Sequence, residues 1–324
     1  MFIGIFYALK MKQKIINGYR LSYVEGLDLL NHCSDEELFI LANDLREHFL
    51  GKKLTTCMIM NAKSGRCSEN CKWCSQSVFH KTDIEVYDFV KEEEVLDRVK
   101  FASNRGVTMF SLVTSGRKLS SKNVKLASQC YKKAQKMYPT VGYCASMGLL
   151  NKSELQTLYD AGVRRYHCNI ETAPSFFSNL CDTHTQEQKL QTIAWAREVG
   201  MDVCSGGIIG MGESMEQRVE MARVLQEMNI LSIPINILIP IKGTALEYAQ
   251  SLSDEELLRT FAIFRIMNPE ADIRFAGGRL RIRHIQDKAL QCGISASMVG
   301  DLLTTTGWDV DDDMKHFKSL NYEL

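Results

Sequence analysis

Eight short apolar runs recur along the chain, separated by longer stretches of helical periodicity. The runs are TTCMIMNA (55–62), VTMFSLVTS (107–115), VGYCASMG (141–148), RRYHCNIET (164–172), MDVCSGGIIG (201–210), SIPINILIP (232–240), DIRFAGG (272–278) and ASMVG (296–300). Their length and their β-branched and aromatic content predict strands. Between them, SKNVKLASQCYKKAQKM (121–137) and SMEQRVEMARVLQEMN (214–229) place apolar residues at i, i+3, i+4 and i+7, the spacing of one helix face. SDEELLRTFAIFRIM (253–267) opens on Ser253, an N-cap residue type, followed by an acidic first turn. Gly106, Gly162 and Gly200 each precede a run, as helix-ending glycines do.

Eight βα-like units in succession predict an α/β fold, a (β/α)8 TIM-type barrel. The expected division is an N-terminal helical extension (1–53), the barrel (54–318) and a short C-terminal tail (319–324). An open doubly wound sheet is the alternative. CSGGIIGMGES is glycine-rich between a strand and a helix, but it does not spell G-x-G-x-x-G, so a dinucleotide site has little support.

The formal net charge of zero gives no electrostatic case for nucleic acid or an anionic membrane as partner. The acidic run DVDDDMKHF reads as a solvated surface. The N-terminal MFIGIFYALKMKQK is too short in its apolar part to span a bilayer and lacks the features of a secretion signal. It reads as a disordered or packing extension, with Met11 an alternative start, and the expected location is cytoplasmic. There are 11 cysteines, an odd number, which points to metal or redox chemistry instead of a disulfide framework. Cys33, Cys130, Cys181 and Cys292 fall in helical or loop stretches and read as structural thiols.

Three cysteines crowd into GRCSENCKWCSQS: Cys67, Cys71 and Cys74, spaced C-x3-C-x2-C. They follow the first predicted strand, which in a barrel places them at the C-terminal face, where active sites sit. Thiolates hold iron–sulfur clusters, and three of them leave one iron of a four-iron cluster open. A structural zinc site would need a fourth ligand from elsewhere. C-x3-C-x2-C before an α/β barrel resembles the radical S-adenosylmethionine superfamily, as does the aromatic Trp73 before the last cysteine. The resemblance implies a [4Fe–4S] cluster whose open iron is chelated by S-adenosylmethionine, and a 5′-deoxyadenosyl radical that abstracts hydrogen from carbon.

Longer stretches narrow the resemblance. MNAKSGRCSENCKWCSQS, NIETAP, VCSGGIIGMGE, IPINILIPIKGT, IRFAGGR and LLTT are together similar to the biotin synthase family, collinearly from about residue 20 to 318. That implies a sulfurtransferase that inserts sulfur between C6 and C9 of dethiobiotin, with the sulfur drawn from an auxiliary iron–sulfur cluster. It also implies an electron donor such as flavodoxin or ferredoxin, and a homodimer. Another radical reaction on the same barrel is the alternative, by a hydrogenase-cofactor maturase or a carbon-skeleton mutase. An iron–sulfur electron carrier or zinc module is the non-catalytic one.

In the family's familiar form the auxiliary cluster is [2Fe–2S], held by three cysteines and an arginine. On this chain those positions fall at Ser111, Cys144, Cys204 and Arg274. Serine is a poor substitute for a thiolate on iron. Two further cysteines, Cys57 and Cys168, lie on predicted strands. The expectation is therefore a four-iron auxiliary cluster held by Cys57, Cys144, Cys168 and Cys204, with Arg274 nearby as a catalytic hydrogen-bond donor. The resemblance also assigns the cofactor pocket: Asn169 and Glu171 to the ribose, Lys189 to the methionyl carboxylate, Trp73 and Ile209 to the adenine, and Glu213 to the glycine-rich run. Asn169 and Asn236 are expected to touch the substrate. His167 and His184 remain unassigned.

Overall fold

A computed structural model describes residues 2–303 and 307–324. Thr304 and Thr305 of the LLTT stretch lie outside the described residues. Three helices come first: α1 (Phe2–Ile16), α2 (Tyr23–His32) and α3 (Asp35–Leu50). Both α2 and α3 start at a serine whose hydroxyl accepts from the backbone of a glutamate three residues on, which itself reaches back to the serine N–H. The N-terminal stretch, expected to be disordered or packed, is helical and packs against α3, with Ala8, Met11 and Ile15 buried.

The strands are β1 (Thr55–Lys63), β2 (Met109–Thr114), β3 (Gly142–Ser146), β4 (Val163–His167), β5 (Asp202–Cys204), β6 (Gly207–Ile209), β7 (Ser232–Ile237), β8 (Asp272–Phe275) and β9 (Ala296–Met298). Each falls within one of the apolar runs to within one residue, and the fifth run carries two strands. The helices among them are α4 (Glu92–Asn104), α5 (Ser121–Met137), α6 (Lys152–Tyr159), α7 (Pro174–Phe177), α8 (Gln186–Glu198), α9 (Met215–Glu227), α10 (Asp254–Met267), α11 (Gln286–Gln291) and α12 (Val310–Ser319). Ser253 caps α10 as its sequence predicts, accepting from the Glu256 N–H at 3.2 Å.

The strands form one parallel nine-stranded sheet in the order β5-β4-β3-β2-β1-β9-β8-β7-β6. Parallel neighbours require crossovers, and the helices supply them. The edge strands β5 and β6 are consecutive in the chain, separated by Ser205 and Gly206 only. The sheet curls, and the Ser205 N–H donates to Ser232 O at 3.0 Å while Glu171 and Gly207 form a parallel bridge. Neighbouring helices pack in sequence order around the outside, and α2 and α3 cover α9 and α10. Helix α10 is thus covered on both sides, and every residue from Thr260 to Met267 is buried.

Candidate active site at the carboxyl ends of the strands

Strand alternation decides what faces the inside of the curled sheet. Along β4 and the residues after it, His167 and Asn169 line a central cavity of about 380 Å3. Ile59, Pro234, Asn236 and Met298 line it from other strands, and Cys67, Glu69 and Cys71 from the loop after β1. The outward residues Met58, Phe110, Leu112, Tyr143, Ala145 and Tyr166 belong to the hydrophobic core between sheet and helices.

The cysteine loop is held by its own backbone. Cys67 N–H donates to Gln76 O at 2.9 Å, and Val78 N–H donates to Cys67 O at 2.9 Å. Cys74 N–H closes a turn on Cys71 O at 3.0 Å, and the Lys72 N–H donates to Leu180 O at 3.0 Å. Gly65 and Arg66 enter the loop with φ of 72° and 52°, a left-handed entry that glycine tolerates best. Burial pushes the Cys74 thiol up to about 11. The Cys71 thiol is also raised, first by its hydrogen bond to Cys181 and then by burial. A metal takes the protons of such thiols, and three cysteines on one loop fit an iron cluster.

Of the residues expected to hold the cofactor, Asn169, Glu171 and Lys189 line the same cavity as Cys67 and Cys71. Lys189 Nζ pairs with Glu171 Oε1 at 3.1 Å, both largely buried. Burial opposes the lysine's charge, but Glu171 more than offsets it and the pKa is raised. Glu171 has φ of 72°, and its backbone is tied to Gly206 and Ile208, its N–H donating to Gly206 O at 3.1 Å and its carbonyl accepting from Ile208 N–H at 2.8 Å. Trp73 packs with Ile208 against Leu180, Met211 and Leu238.

Ile209 does not share that contact. It is fully buried in the main core, because Ile208, not Ile209, stands in register with inward-facing Asn236. Glu213 lies outside the cavity lining. Its carboxylate accepts from the N–H groups of Gly210 and Met211, each at 2.8 Å, and from Arg218 Nε at 2.7 Å. Asn236 faces the cavity with both amide ends engaged, Nδ2 donating to Gly207 O at 3.0 Å and Oδ1 accepting from Gly277 N–H at 2.8 Å.

A second thiol group lies deeper. Cys57, Cys144, Cys204 and Arg274 are all at most 4% exposed and close enough to act on one another's charge. Cys57 precedes Ile59 by one inward pleat, which sets this group directly under the cavity floor. Burial raises the Cys144 and Cys204 thiols against the opposing pull of Arg165 and Arg274. Ser111 stands in register with Cys144.

Cys168 does not join the group. Its thiol contacts Lys189 O at 3.7 Å on α8, and its charged neighbours are Lys189 and Glu171. The sequence expectation placed both Cys168 and Asn169 inside, and both line the cavity, but Cys168 lies toward Lys189 and Glu171 and not toward the deep thiols.

Two residues missed from sequence join the deep group. Arg165 faces Cys144 in register, and its buried Nε has no hydrogen-bond partner. His167 stands in register with Cys204 and reaches the cavity. Burial first, then Arg165 and Arg274, hold its pKa down to about 3, so it is neutral. Two-residue periodicity from Asn169 would have found both. Three buried thiols, two guanidinium groups and an unsatisfied N–H fit an anionic iron–sulfur group.

Comparison with known proteins gives the family. Residues 62–225 match the Radical SAM superfamily and residues 234–323 the Biotin and Thiamin Synthesis associated domain. The chain is 47% identical to a biotin synthase from Parabacteroides distasonis, over 97% of this chain and 96% of that protein. It is 46% identical to one from Clostridium botulinum, over 97% of this chain and 98% of that one. Among solved structures, methylornithine synthase superposes with a TM-score of 0.82 at 17% identity, covering 97% of this chain and 96% of that one. The FeFe-hydrogenase maturase HydG from Carboxydothermus hydrogenoformans gives 0.80 at 18%, over 97% of this chain and 78% of that one. At those identities the two structures share the fold alone.

Proposed function

The chain belongs to the biotin synthase family of radical S-adenosylmethionine enzymes, and from that premise we propose how its own residues divide the work of inserting sulfur between C6 and C9 of dethiobiotin. One observation carries the reading: two separate cysteine groups flank a single cavity. Cys67 and Cys71 stand on its wall beside Asn169, Glu171 and Lys189, and Cys57, Cys144 and Cys204 lie under its floor with Arg274.

In this reading Cys67, Cys71 and Cys74 hold a [4Fe–4S] cluster with one open iron. Bound there, the cluster and S-adenosylmethionine supply a 5′-deoxyadenosyl radical. The protein positions and encloses the reacting groups. Asn169 and Glu171 receive the ribose hydroxyls, and Lys189 offers its ammonium to the methionyl carboxylate. Trp73 and Ile208 flank the adenine, in place of the expected pair Trp73 and Ile209. Glu213 acts at one remove, fixing the Gly210–Met211 backbone against which the nucleoside lies. Asn169 and Asn236 hold the substrate between the two cysteine groups. The core around the cavity encloses the reacting groups and excludes bulk solvent.

The auxiliary cluster is of a four-iron type, held by Cys57, Cys144 and Cys204. Ser111 removes one thiolate and Cys57 returns one from another strand, which alters the ligand geometry. Arg274 and Arg165 would balance the cluster's negative charge and would supply N–H donors for its sulfur. Cys168 is left out of the ligand set. Iron analysis tests the nuclearity: about eight irons per chain support two four-iron clusters, and about six a [2Fe–2S] auxiliary cluster.

The fold completes a (β/α)8 barrel, with β5 and β6 one strand interrupted at Ser205–Gly206, an N-terminal helical extension over residues 1–53, the barrel over 54–318 and a tail over 319–324. The expected setting is a cytoplasmic homodimer reduced by a flavodoxin or ferredoxin. No helix among the described residues is long and apolar enough to cross a membrane.

The deciding experiment is anaerobic. Reconstituted protein, S-adenosylmethionine, a reductant and dethiobiotin are combined, and 5′-deoxyadenosine and biotin are read by mass spectrometry. Biotin with about two deoxyadenosines per molecule is the expected result, one for each carbon–hydrogen bond broken. Deoxyadenosine without biotin in fully iron-loaded protein would overturn the substrate assignment.

A further inference from the structure

Cys181 belongs to neither cysteine group, yet it touches one. It lies in the loop between α7 and α8, and its Sγ is 3.7 Å from Cys71 Sγ. His184 Nδ1 is 3.3 Å from Cys181 Sγ and 2.8 Å from Glu69 Oε2. The donor atoms of Cys71, Cys181 and His184 all lie within 4.8 Å of one another. Cys181 Sγ also meets Asn70 Oδ1 at 3.4 Å and Thr183 Oγ1 at 3.5 Å. Cys181, His184 and Glu69 are buried, and Cys71, His184 and Glu69 open onto the cavity.

These spacings have a chemical meaning. Two thiolates bound to one tetrahedral zinc, with Zn–S near 2.3 Å, stand about 3.8 Å apart. A thiolate and an imidazole nitrogen on the same ion stand about 3.6 Å apart. The observed 3.7 Å and 3.3 Å lie close to both values. Two sulfurs and one imidazole nitrogen converge here. A cation satisfies such a group better than hydrogen bonds do, and soft sulfur with imidazole selects zinc-like ions over calcium or magnesium.

We propose that Cys71, Cys181 and His184 bind a single tetrahedral divalent cation of the zinc type before the first cluster is assembled, with water as the fourth ligand. Cys71 is shared with the cluster loop, so the ion and the cluster exclude each other. Zinc in this site therefore blocks cluster assembly, and its release frees Cys71.

The test uses the full-length, iron-free chain under reducing anaerobic conditions, with cobalt(II) as optical probe and zinc as competitor. No S-adenosylmethionine or dethiobiotin is present, so the result is independent of the sulfur-insertion reading. Wild-type protein is expected to take up about one cobalt per chain, with thiolate charge-transfer bands, tetrahedral d–d bands and displacement by zinc. Cys67→Ser and Cys74→Ser should retain that spectrum. Cys181→Ser should lose about half the charge-transfer intensity, and both Cys181→Ser and His184→Gln should weaken binding at least about tenfold. Thermal unfolding of each variant checks that it is folded. Absence of cobalt uptake, an unchanged affinity in Cys181→Ser or His184→Gln, or loss of the spectrum in Cys67→Ser or Cys74→Ser would each overturn the proposal.

Discussion

Glu213 offers the sharpest separation between a residue that touches the cofactor and one that shapes the backbone beneath it. Its carboxylate is buried and accepts three hydrogen bonds, from the Gly210 and Met211 N–H groups and from Arg218 Nε. Arg218 is itself 2% exposed. In Glu213→Ala all three bonds are lost and a guanidinium is left buried beside weaker contacts, Thr260 Oγ1 at 3.4 Å and Glu256 at 3.8 Å. At about 1.5–3 kcal/mol for each bond to a charged group the sum would be about 4.5–9 kcal/mol. Water entry and these residual contacts bring the expected loss to about 3–5 kcal/mol, the usual cost of breaking a buried pair. Glu213→Gln keeps the shape. Its carbonyl can replace Oε1, which serves Gly210 and Arg218, but its NH2 then faces the Met211 N–H donor to donor. The loss there is about 1.5–3 kcal/mol. The assay is urea unfolding of the iron-free chain, followed by tryptophan fluorescence, with S-adenosylmethionine affinity measured on the same reconstituted variants. Stability and affinity should fall together, with Ala below Gln. A glutamine variant as stable as wild type would refute the reasoning. So would an alanine variant that loses affinity more than tenfold at unchanged stability, because the carboxylate would then be contacting the cofactor itself.

Three further outcomes follow from the geometry. Cys57→Ser and Cys204→Ser should each lower auxiliary iron and sulfide and abolish biotin formation while S-adenosylmethionine cleavage persists, whereas Cys168→Ser should leave iron content unchanged; metal and sulfide analysis decides, and an iron loss in Cys168→Ser would restore it to the ligand set. Lys189→Met strands a largely buried Glu171 carboxylate and should cost about 3 kcal/mol together with weaker cofactor binding, and Lys189→Arg should recover most of both, as read by calorimetry. Gly206→Ala would place its Cβ 2.0 Å from Pro234 O, a backbone overlap that should destabilise the chain by about 3 kcal/mol or more and show as a lower melting temperature.

Local pattern carried much of this protein in its sequence. The eight apolar runs, the Ser253 cap and the three-cysteine loop are each encoded within a few consecutive residues, so periodicity and spacing were sufficient to read them. The loop's chemistry was legible for the same reason, since Cys67, Cys71 and Cys74 need no distant partner to be recognised as a set. What local pattern left open were choices between neighbouring residues. Ile208 and Ile209 are equally plausible by composition, and only strand register decides which faces inward. Asn236 stands beside Ile208, so Ile209 turns to the core; Cys168 lines the cavity beside Asn169 but lies toward α8, away from the deep thiols.

Contacts between distant segments belong wholly to the tertiary structure. Cys57, Cys144, Cys204 and Arg274 come together because the curled parallel sheet brings four strands around one axis. Arg165 acquires its place among them through pairing with β3. Cys181 reads as an ordinary loop thiol until the turn after α7 sets it against Cys71. The sequence by itself determined the elements and the three-cysteine loop proposed to hold the first cluster, because short-range spacing encodes them. The tertiary structure decided the deep thiol group and the cation site, because curling of the sheet and strand register set which distant side chains share a face.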